Sequence, residues 1–146
     1  MIALGSDHAG FELKRHILAY LEKNGYDVLD VGCLTNQSVD YVPYGEAAAR
    51  AVVEGRAELA IVVCGTGLGI SIAANKVRGI RAALCTNEFM ARMARMHNDA
   101  NVLALGGRVV GTSLAEAIVD AFLKTGFEGG RHAERVKLLM DIETRQ

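Results

Sequence analysis

The sequence predicts a three-layer α/β/α sandwich with five parallel strands in its central sheet. Three observations lead to this fold class. Short apolar segments alternate with longer helical patterns five times, segments 2–5 and 59–63 are apolar on both faces, and polar glycine-rich segments directly follow apolar ones. Strands that are apolar on both faces are typical of parallel sheets covered by helices on each side. The 146 residues, 51% of them hydrophobic, predict a single domain, residues 1–146, with a substantial core.

Five strand–helix units account for most of the chain. Strands are predicted at 2–6, 27–32, 59–64, 81–85 and 101–106, and the helices that follow them at 11–25, 45–55, 69–77, 87–98 and 113–126. In the first helix the apolar residues fall on one stripe at the helical period, and Gly25 provides a C-terminal stop. Residues 33–44 form the longest irregular stretch and hold the only proline, so we expect a lid or a pocket wall there.

A sixth helical pattern, residues 131–146, follows the fifth unit. A sandwich of five strand–helix units is complete without this helix, yet the helix has an apolar face of its own. That face consists of Val136, Leu138, Leu139, Met140 and Ile142. Such a face requires a partner surface to cover it, and we expect this helix to pack at a dimer interface.

Composition excludes several classes of function. The 16 lysines and arginines nearly cancel the 17 aspartates and glutamates, so no overall charge attracts nucleic acid or an anionic membrane surface. No apolar run is long enough to span a bilayer, and no basic-then-apolar leader opens the chain, which predicts a cytoplasmic protein. Cys33, Cys64 and Cys85 are odd in number and lack CxxC spacing, so we expect free thiols, with Cys33 and Cys85 as small buried hydrophobes.

The segment CGTGLG, residues 64–69, is the strongest candidate for chemistry. Glycines let backbone amides approach an anion, and the helix that follows adds its positive end. The segment lacks the GxxxxGK[ST] pattern of a nucleotide P-loop, and it does not follow the first strand as a dinucleotide loop would. Glycines that only allow tight strand–helix packing are the alternative interpretation. Cys64 favours function, because amide donors and a helix N-terminus stabilise a thiolate that can act as a base or a nucleophile.

Histidines are the expected partners of such a cysteine. His8 and His97 are the candidates, whereas His16 lies among charged residues and is interpreted as a surface residue. His132 beside Arg131 is left between a surface residue and an anion-binding one. Because ligands of parallel sheets bind beyond the carboxyl ends of the strands, we expect the site in the loops at 6–10, 64–69, 85–88 and 106–111.

Four segments in order resemble the type B ribose-5-phosphate isomerases, a family that also includes galactose-6-phosphate and allose-6-phosphate isomerases. They are SDHAGFELK near the start, CGTGLGISIAANKVRGIRAALC in the middle, HNDANVLALGGRVVG after it and FEGGRHAERV near the end. The resemblance implies a Rossmann-like sandwich, a homodimer or a tetramer of dimers, a sugar-phosphate substrate, and neither metal nor cofactor. It further implies interconversion of ribose 5-phosphate and ribulose 5-phosphate through a cis-enediolate.

The resemblance also assigns roles to individual residues. Cys64 corresponds to the base, and Ile70 stands where a second branch of the family carries a glutamate base. His97 corresponds to the ring-opening acid, and Thr66 assists it or steadies the thiol. The remaining positions match residues that bind substrate: Asp7, His8, Tyr41, Gly65, Gly67, Leu68, Gly69, Asn98, Arg108, Arg131 and Arg135. Because DYVPY places its proline one position later than the family's DYP segment, the sugar preference stays open.

Alternatives to this activity fall into different classes. A hexose-6-phosphate isomerase would use the same chemistry on a longer sugar. A phosphosugar-binding module without catalysis would need the arginines and the glycine loop but not Cys64, Thr66, His97 and Asn98. A flavin carrier of similar architecture would be coloured. From the two-fold dimer that the resemblance implies, we expect Cys64 and His97 of one site to come from different subunits.

Overall fold

The middle layer is one parallel sheet of five strands. In the computed structural model, which describes residues 1–146, the strands are β1 (Ile2–Ser6), β2 (Val28–Gly32), β3 (Leu59–Cys64), β4 (Ala82–Leu84) and β5 (Val102–Gly106). They lie in the order β2-β1-β3-β5-β4, so β5 inserts between β3 and β4. The predicted Rossmann-like, five-stranded α/β fold is confirmed.

Helices cover both faces of the sheet. They are α1 (Phe11–Lys23), α2 (Tyr41–Val53), α3 (Leu68–Asn75), α4 (Glu88–Asn98), α5 (Thr112–Lys124) and α6 (Arg131–Asp141), and a short 3-10 turn follows at Ile142–Thr144. The core on the side of α1, α4 and α5 contains large side chains such as Leu103 and Phe122. The core on the side of α2 and α3 is built largely of alanines and valines, which lets these helices approach the sheet closely.

Helix α2 begins earlier than the sequence predicted. The expected irregular stretch 33–44 ends at Asp40, whose side chain accepts a hydrogen bond of 3.0 Å from the Val42 amide and caps the helix. Pro43 then lies in the first turn, where a missing N–H removes no intrahelical hydrogen bond. The proline was interpreted as a sign of irregular chain, whereas here it is compatible with a helix start.

The C-terminal segment adds an outer helix whose apolar face is open in the single chain. Leu138 is 63% exposed and Leu139 46% exposed. The 3-10 turn after α6 is tied back to the sheet edge, because both carboxylate oxygens of Glu143 lie 3.1 Å from the Gly79 amide, which donates to them. The exposed face is therefore held in a fixed place on the molecule.

All three cysteines are free, as predicted, and the predicted burial of Cys33 and Cys85 is confirmed; Cys64 is buried as well. Burial raises the pKa of Cys85 to about 11, which keeps this thiol protonated near neutral pH. None of the helices has the length and apolar character required to cross a bilayer.

Candidate functional site

The strand order brings three loops together at one edge of the sheet. Strands β1, β3 and β5 are parallel neighbours, so the loops that follow them stand side by side. The strand order changes direction at β1, because β2 lies on one side of β1 and β3 lies on the other. Two backbone hydrogen bonds join the last two loops: Gly107 N donates to Cys64 O at 2.8 Å, and Arg108 N donates to Gly65 O at 2.9 Å. The predicted meeting of segments 6–10, 64–69 and 106–111 is therefore present in the structure.

The backbone N–H groups of the glycine loop, residues 64–69, surround a small concave site. Gly67 has a φ of 82°, and a Cβ there would lie 2.5 Å from Leu84 Cδ1, so only glycine fits without displacement of its neighbours. Thr66 Oγ1 accepts a 3.2 Å hydrogen bond from the Leu68 amide. The amides of Gly65, Thr66 and Gly69 donate to no protein acceptor. These free donors at the start of α3 make the loop a binding place for an anionic oxygen.

Cys64, the last residue of β3, lies beneath these N–H groups. Its side chain is buried, and its Sγ accepts a hydrogen bond of 3.1 Å from the Gly67 amide. The Gly67 N–H and the N-terminus of α3 both direct their positive ends toward this sulfur. The arrangement suits a sulfur that takes up and returns a proton.

The polar pair after β1 and the segment above it complete one side of the site. Asp7 is 6% exposed, and its Oδ1 accepts a 3.0 Å hydrogen bond from the Gly10 amide. His8 Nδ1 lies 3.1 Å from both the amide nitrogen and the carbonyl oxygen of Val39, which fixes segment 33–40 above the loop. The Tyr41 ring packs against Gly69, where a Cβ would lie 2.6 Å from the ring.

A buried lysine anchors the other end of that segment. Lys14 Nζ donates to Asp30 Oδ1 at 2.7 Å and to the Cys33 carbonyl at 2.6 Å. Because the Asp30 carboxylate and the Cys33 carbonyl both accept hydrogen bonds from the Lys14 ammonium, much of the desolvation cost of burying this charge is offset. Segment 33–40 is thus held at one end by Lys14 and at the other end by His8, and it forms one wall of the site.

Arg108 supplies positive charge at the same edge. Its guanidinium is exposed, and its Nη1 lies 3.3 Å from the position that a Cβ on Gly65 would take. A guanidinium fork this close to free amides favours a phosphate or another oxyanion.

His97 and Asn98 lie at the opposite edge of the sheet. They end α4, and the Asn98 carbonyl accepts a 3.0 Å hydrogen bond from Arg81, which directly precedes β4. In the register of β3 with β5, Ala60 pairs with Val102 at the His97 end, and Cys64 pairs with Gly106 four positions further on. Four strand positions span about 13 Å, so one chain does not bring His97 to Cys64.

The arginines of α6 belong to this second edge. Arg135 lines a cavity of about 370 Å³ together with His97, Asn98 and His132, and Arg131 is exposed in the same helical turn. The predicted site residues thus fall into two groups in one chain. The first group holds Asp7, His8, Tyr41, the loop 64–69 and Arg108; the second holds His97, Asn98, Arg131 and Arg135.

His132 and Glu128 are functional candidates that sequence reasoning did not assign. The rings of His97 and His132 stack with centroids 4.2 Å apart and planes within 10°, and His97 Nε2 lies 3.8 Å from Glu128 Oε2. His132 is 4% exposed, so of the two alternatives left open for it the surface residue is wrong. Its pKa is lowered, first by burial of the ring and then by the neighbouring His97. The pattern GGRH contains no signal that would predict stacking on a distant helix.

Comparisons with known proteins agree over nearly the full chain. The "Ribose-5-phosphate isomerase B" of Escherichia coli K12 is 50% identical over 145 residues, which cover 99% of this chain and 97% of that protein. The solved structure of Clostridium thermocellum ribose-5-phosphate isomerase B is 60% identical, with a TM-score of 0.98 over 99% of this chain and 97% of that one. The corresponding Thermotoga maritima structure is 50% identical, with a TM-score of 0.94 over 96% and 97%. Residues 2–139 match the profile of the Ribose/Galactose Isomerase family, and the chain belongs to that family.

Proposed function

We propose that this chain is an aldose–ketose isomerase that interconverts D-ribose 5-phosphate and D-ribulose 5-phosphate. The observation that carries the proposal is the Gly67 N–H that donates to Cys64 Sγ inside a loop with free amides. Relatives of 50% and 60% identity that bear the name ribose-5-phosphate isomerase B support this substrate over a hexose 6-phosphate. The three free cysteines fit the reducing environment of the cytoplasm, where we place the reaction.

The chemistry begins with proton abstraction next to a carbonyl. The Cys64 thiolate removes the proton from C2 of the open-chain aldose. The C2–H electron pair becomes the C1–C2 double bond, and O1 becomes an oxyanion. The thiol then returns its proton to C1, while the hydroxyl proton on O2 passes to O1 and leaves a ketone at C2. A positioned general base of this kind contributes about 10²- to 10⁴-fold in rate.

The glycine loop stabilises the charge that develops in this step. The amides of Gly65, Thr66 and Gly69 have no acceptor in the protein, so they are available to the enediolate oxygens. A well-placed oxyanion donor is worth about 3–4 kcal/mol in other enzymes. Asp7 and Tyr41 stand beside the loop, where we assign them to the sugar hydroxyls and to the pocket wall.

A second copy of the chain completes the site in this proposal. His97 acts as the acid that opens the furanose ring, Asn98 binds substrate beside it, and Arg131 and Arg135 join Arg108 in holding the phosphate. Because one chain keeps these residues about 13 Å or more from Cys64 along the sheet, they reach the thiol only from a partner. The exposed apolar residues of α6 supply part of the surface that such a homodimer would bury.

The test separates binding from chemistry. The Cys64→Ala variant should lose nearly all isomerisation and keep its affinity for ribose 5-phosphate, because the phosphate is held by arginines and not by sulfur. Calorimetry measures the affinity, and a coupled assay measures the rate. Cys85→Ala is the matched control, a buried cysteine in the core that should turn over substrate normally. Near-normal turnover by Cys64→Ala would remove this thiol from the mechanism.

Substrate preference is tested with a panel of sugar phosphates. We expect kcat/KM to be highest for ribose 5-phosphate and lower for allose 6-phosphate and galactose 6-phosphate. A higher value for either hexose phosphate would overturn the substrate assignment while keeping the reaction class. Absence of turnover with every member of the panel would favour a phosphosugar-binding module.

A further inference from the structure

The side chain of His97 is held by few contacts. It lies in the last turn of α4 and is 39% exposed. Its ion-pair contact, Glu128 Oε2 at 3.8 Å from Nε2, is longer than a hydrogen bond. The backbone beneath it is fixed, because Arg81 Nε donates to the carbonyls of Asn98 and Asp99, both at 3.0 Å. Another contact therefore has to set the orientation of the ring.

The ring of His132 supplies that contact. The two imidazoles stack with centroids 4.2 Å apart and planes within 10° of each other. At this separation the faces of the rings are in van der Waals contact, and a turn of the His97 ring out of its plane would lose that contact. The stack therefore fixes the plane in which the His97 nitrogens lie.

His132 is itself firmly placed. Of the eleven residues of α6, it is the only one that is buried. Its amide donates to the Gly129 carbonyl at 3.0 Å, and the Glu128 amide donates to the Met96 carbonyl at 3.0 Å, which ties the start of α6 to the residue before His97. A side chain that is locked by packing in this way can hold a more exposed one.

The contribution of His132 comes from the face of its ring. Its Nε2 is buried and makes no hydrogen bond, so a carbon ring of the same shape would fit at least as well. The pKa of His132 is lowered by burial and then by the neighbouring His97, with Arg131 and Arg135 acting in the same direction. Because two positive rings this close would repel each other, an uncharged His132 leaves the proton of the pair to His97.

We propose that His132 is a positioning residue for ring opening, and that its ring holds His97 in the plane from which His97 protonates the furanose oxygen. This inference rests on the proposed function, in which His97 is the ring-opening acid. Helix α6 also carries Arg131 and Arg135, which are assigned to the phosphate, so one helix places the acid and the phosphate contacts relative to each other. A misplacement of about 1 Å in such a group costs up to about 100-fold in rate.

Two variants of His132 separate the stack from the nitrogens. His132→Phe keeps a ring beneath His97, whereas His132→Ala removes it. At saturating ribose 5-phosphate, we expect kcat to fall by at least about tenfold in His132→Ala and to stay within about threefold of the wild type in His132→Phe. An unchanged kcat in His132→Ala would overturn the proposal, and so would an equal loss in both variants.

A second reaction separates ring opening from a general loss of structure. Ribulose 5-phosphate has no free hydroxyl at C5 and forms no furanose, so exchange of its C1 proton with solvent deuterium needs the base but not the acid. His132→Ala should slow the forward reaction about tenfold more than this exchange. Ile118→Ala, a truncation of a fully buried core residue, is the matched control and should affect both rates alike. Equal losses in His132→Ala would show a merely structural role.

A double variant tests whether His132 acts through His97. In a His97→Ala background, His132→Ala should change the forward rate by less than about twofold, because no ring remains to be oriented. Additive losses would refute the proposal. Glu128→Gln removes only the half-exposed ion pair and should cost less than about fivefold. A greater loss there than in His132→Ala would mean that the ion pair, and not the stack, orients His97.

Nuclear magnetic resonance tests the stack without any turnover. The ring protons of His97 should be shifted upfield by the ring current of its neighbour in the wild type and in His132→Phe, which keeps the test available even where His132→Ala folds poorly. Absence of that shift in the wild type would refute the stack. A protein that shows the shift but never isomerises ribose 5-phosphate would refute the proposed function and retain the placement of His97 by His132.

Discussion

Mixing two inactive variants, Cys64→Ala and His97→Ala, should restore about one quarter of wild-type isomerase activity if each site draws on two chains. Ring opening acts on the oxygen bonded to C1, and the base acts on C2, so both side chains must lie within hydrogen-bond reach of adjacent substrate atoms. In one chain they are at least four strand positions, or about 13 Å, apart along the sheet. Because C1 and C2 are bonded to each other, one substrate molecule cannot place them next to two side chains that lie this far apart.

The expected magnitude follows from counting sites. Equal amounts of the two chains, unfolded together and refolded, give about half mixed dimers in an isologous assembly. One of the two sites in each mixed dimer combines the intact Cys64 of one chain with the intact His97 of the other. About half of the dimers with half of their sites gives about one quarter of the activity.

The assay uses ribose 5-phosphate turnover, with native mass spectrometry to count mixed dimers. Refolded wild type corrects for yield, and each variant refolded alone gives the background. Cys64→Ala mixed with Arg108→Ala is the matched control. Mixing should raise the activity no further than the two variants show alone, because both residues lie at the same edge of the same chain. If the Cys64 and His97 variants form mixed dimers without recovering activity, the shared site is wrong.

Three further predictions test the described structure. Gly67→Ala and Gly25→Ala both replace a glycine with φ above 80°, at a cost of about 1–3 kcal/mol in unfolding free energy. Only the Gly67→Ala methyl group would also meet another side chain, at 2.5 Å. The Gly67→Ala variant should therefore unfold at a lower denaturant concentration than Gly25→Ala, and it should lose activity. Near neutral pH, iodoacetamide should label Cys64, and bound substrate should protect it. Cys85 should stay unlabelled, because burial raises its pKa to about 11. Peptide mapping that finds Cys85 modified in the native protein would contradict this prediction. The pKa of His132 is lowered in the folded state, so its contribution to the unfolding free energy is complete above about pH 6.5 and declines as the pH falls toward the lowered value. In denaturant titrations at several pH values, His132→Gln should make this decline smaller. An unchanged decline in the variant would refute the role of His132.

Local patterns account for the parts of the fold that could be predicted. The strands and helices were recognisable because hydrophobic periodicity is written within each segment. Cys64 and its glycine loop are contiguous, so their contact needs no knowledge of the rest of the chain. The approach of Asp7 and Arg108 to that loop followed from one rule, that parallel strands end at a common edge.

The features that escaped prediction depend on distant parts of the chain. The insertion of β5 between β3 and β4 is decided by packing of the whole sheet, and no single segment encodes it. His132 stacks on His97 across two helices, so neither local sequence contains a sign of it. Helix α2 was predicted to start too late because Pro43 breaks a helix in its interior but not in its first turn.

The strand order also dictates when the candidate site can come into being during synthesis. Strand β3 pairs with β1 early in the chain, but its other edge stays open until β5 emerges and pairs with it. Until then the Cys64 carbonyl lacks the Gly107 amide, and the loop lacks the Arg108 amide that holds Gly65. Contacts that span a long stretch of chain form slowly, because loop closure is entropically costly before the contacts stabilise it. A ribosome-bound chain that ends before residue 102 therefore carries Cys64 and all of its glycines, yet it cannot assemble the edge on which they act.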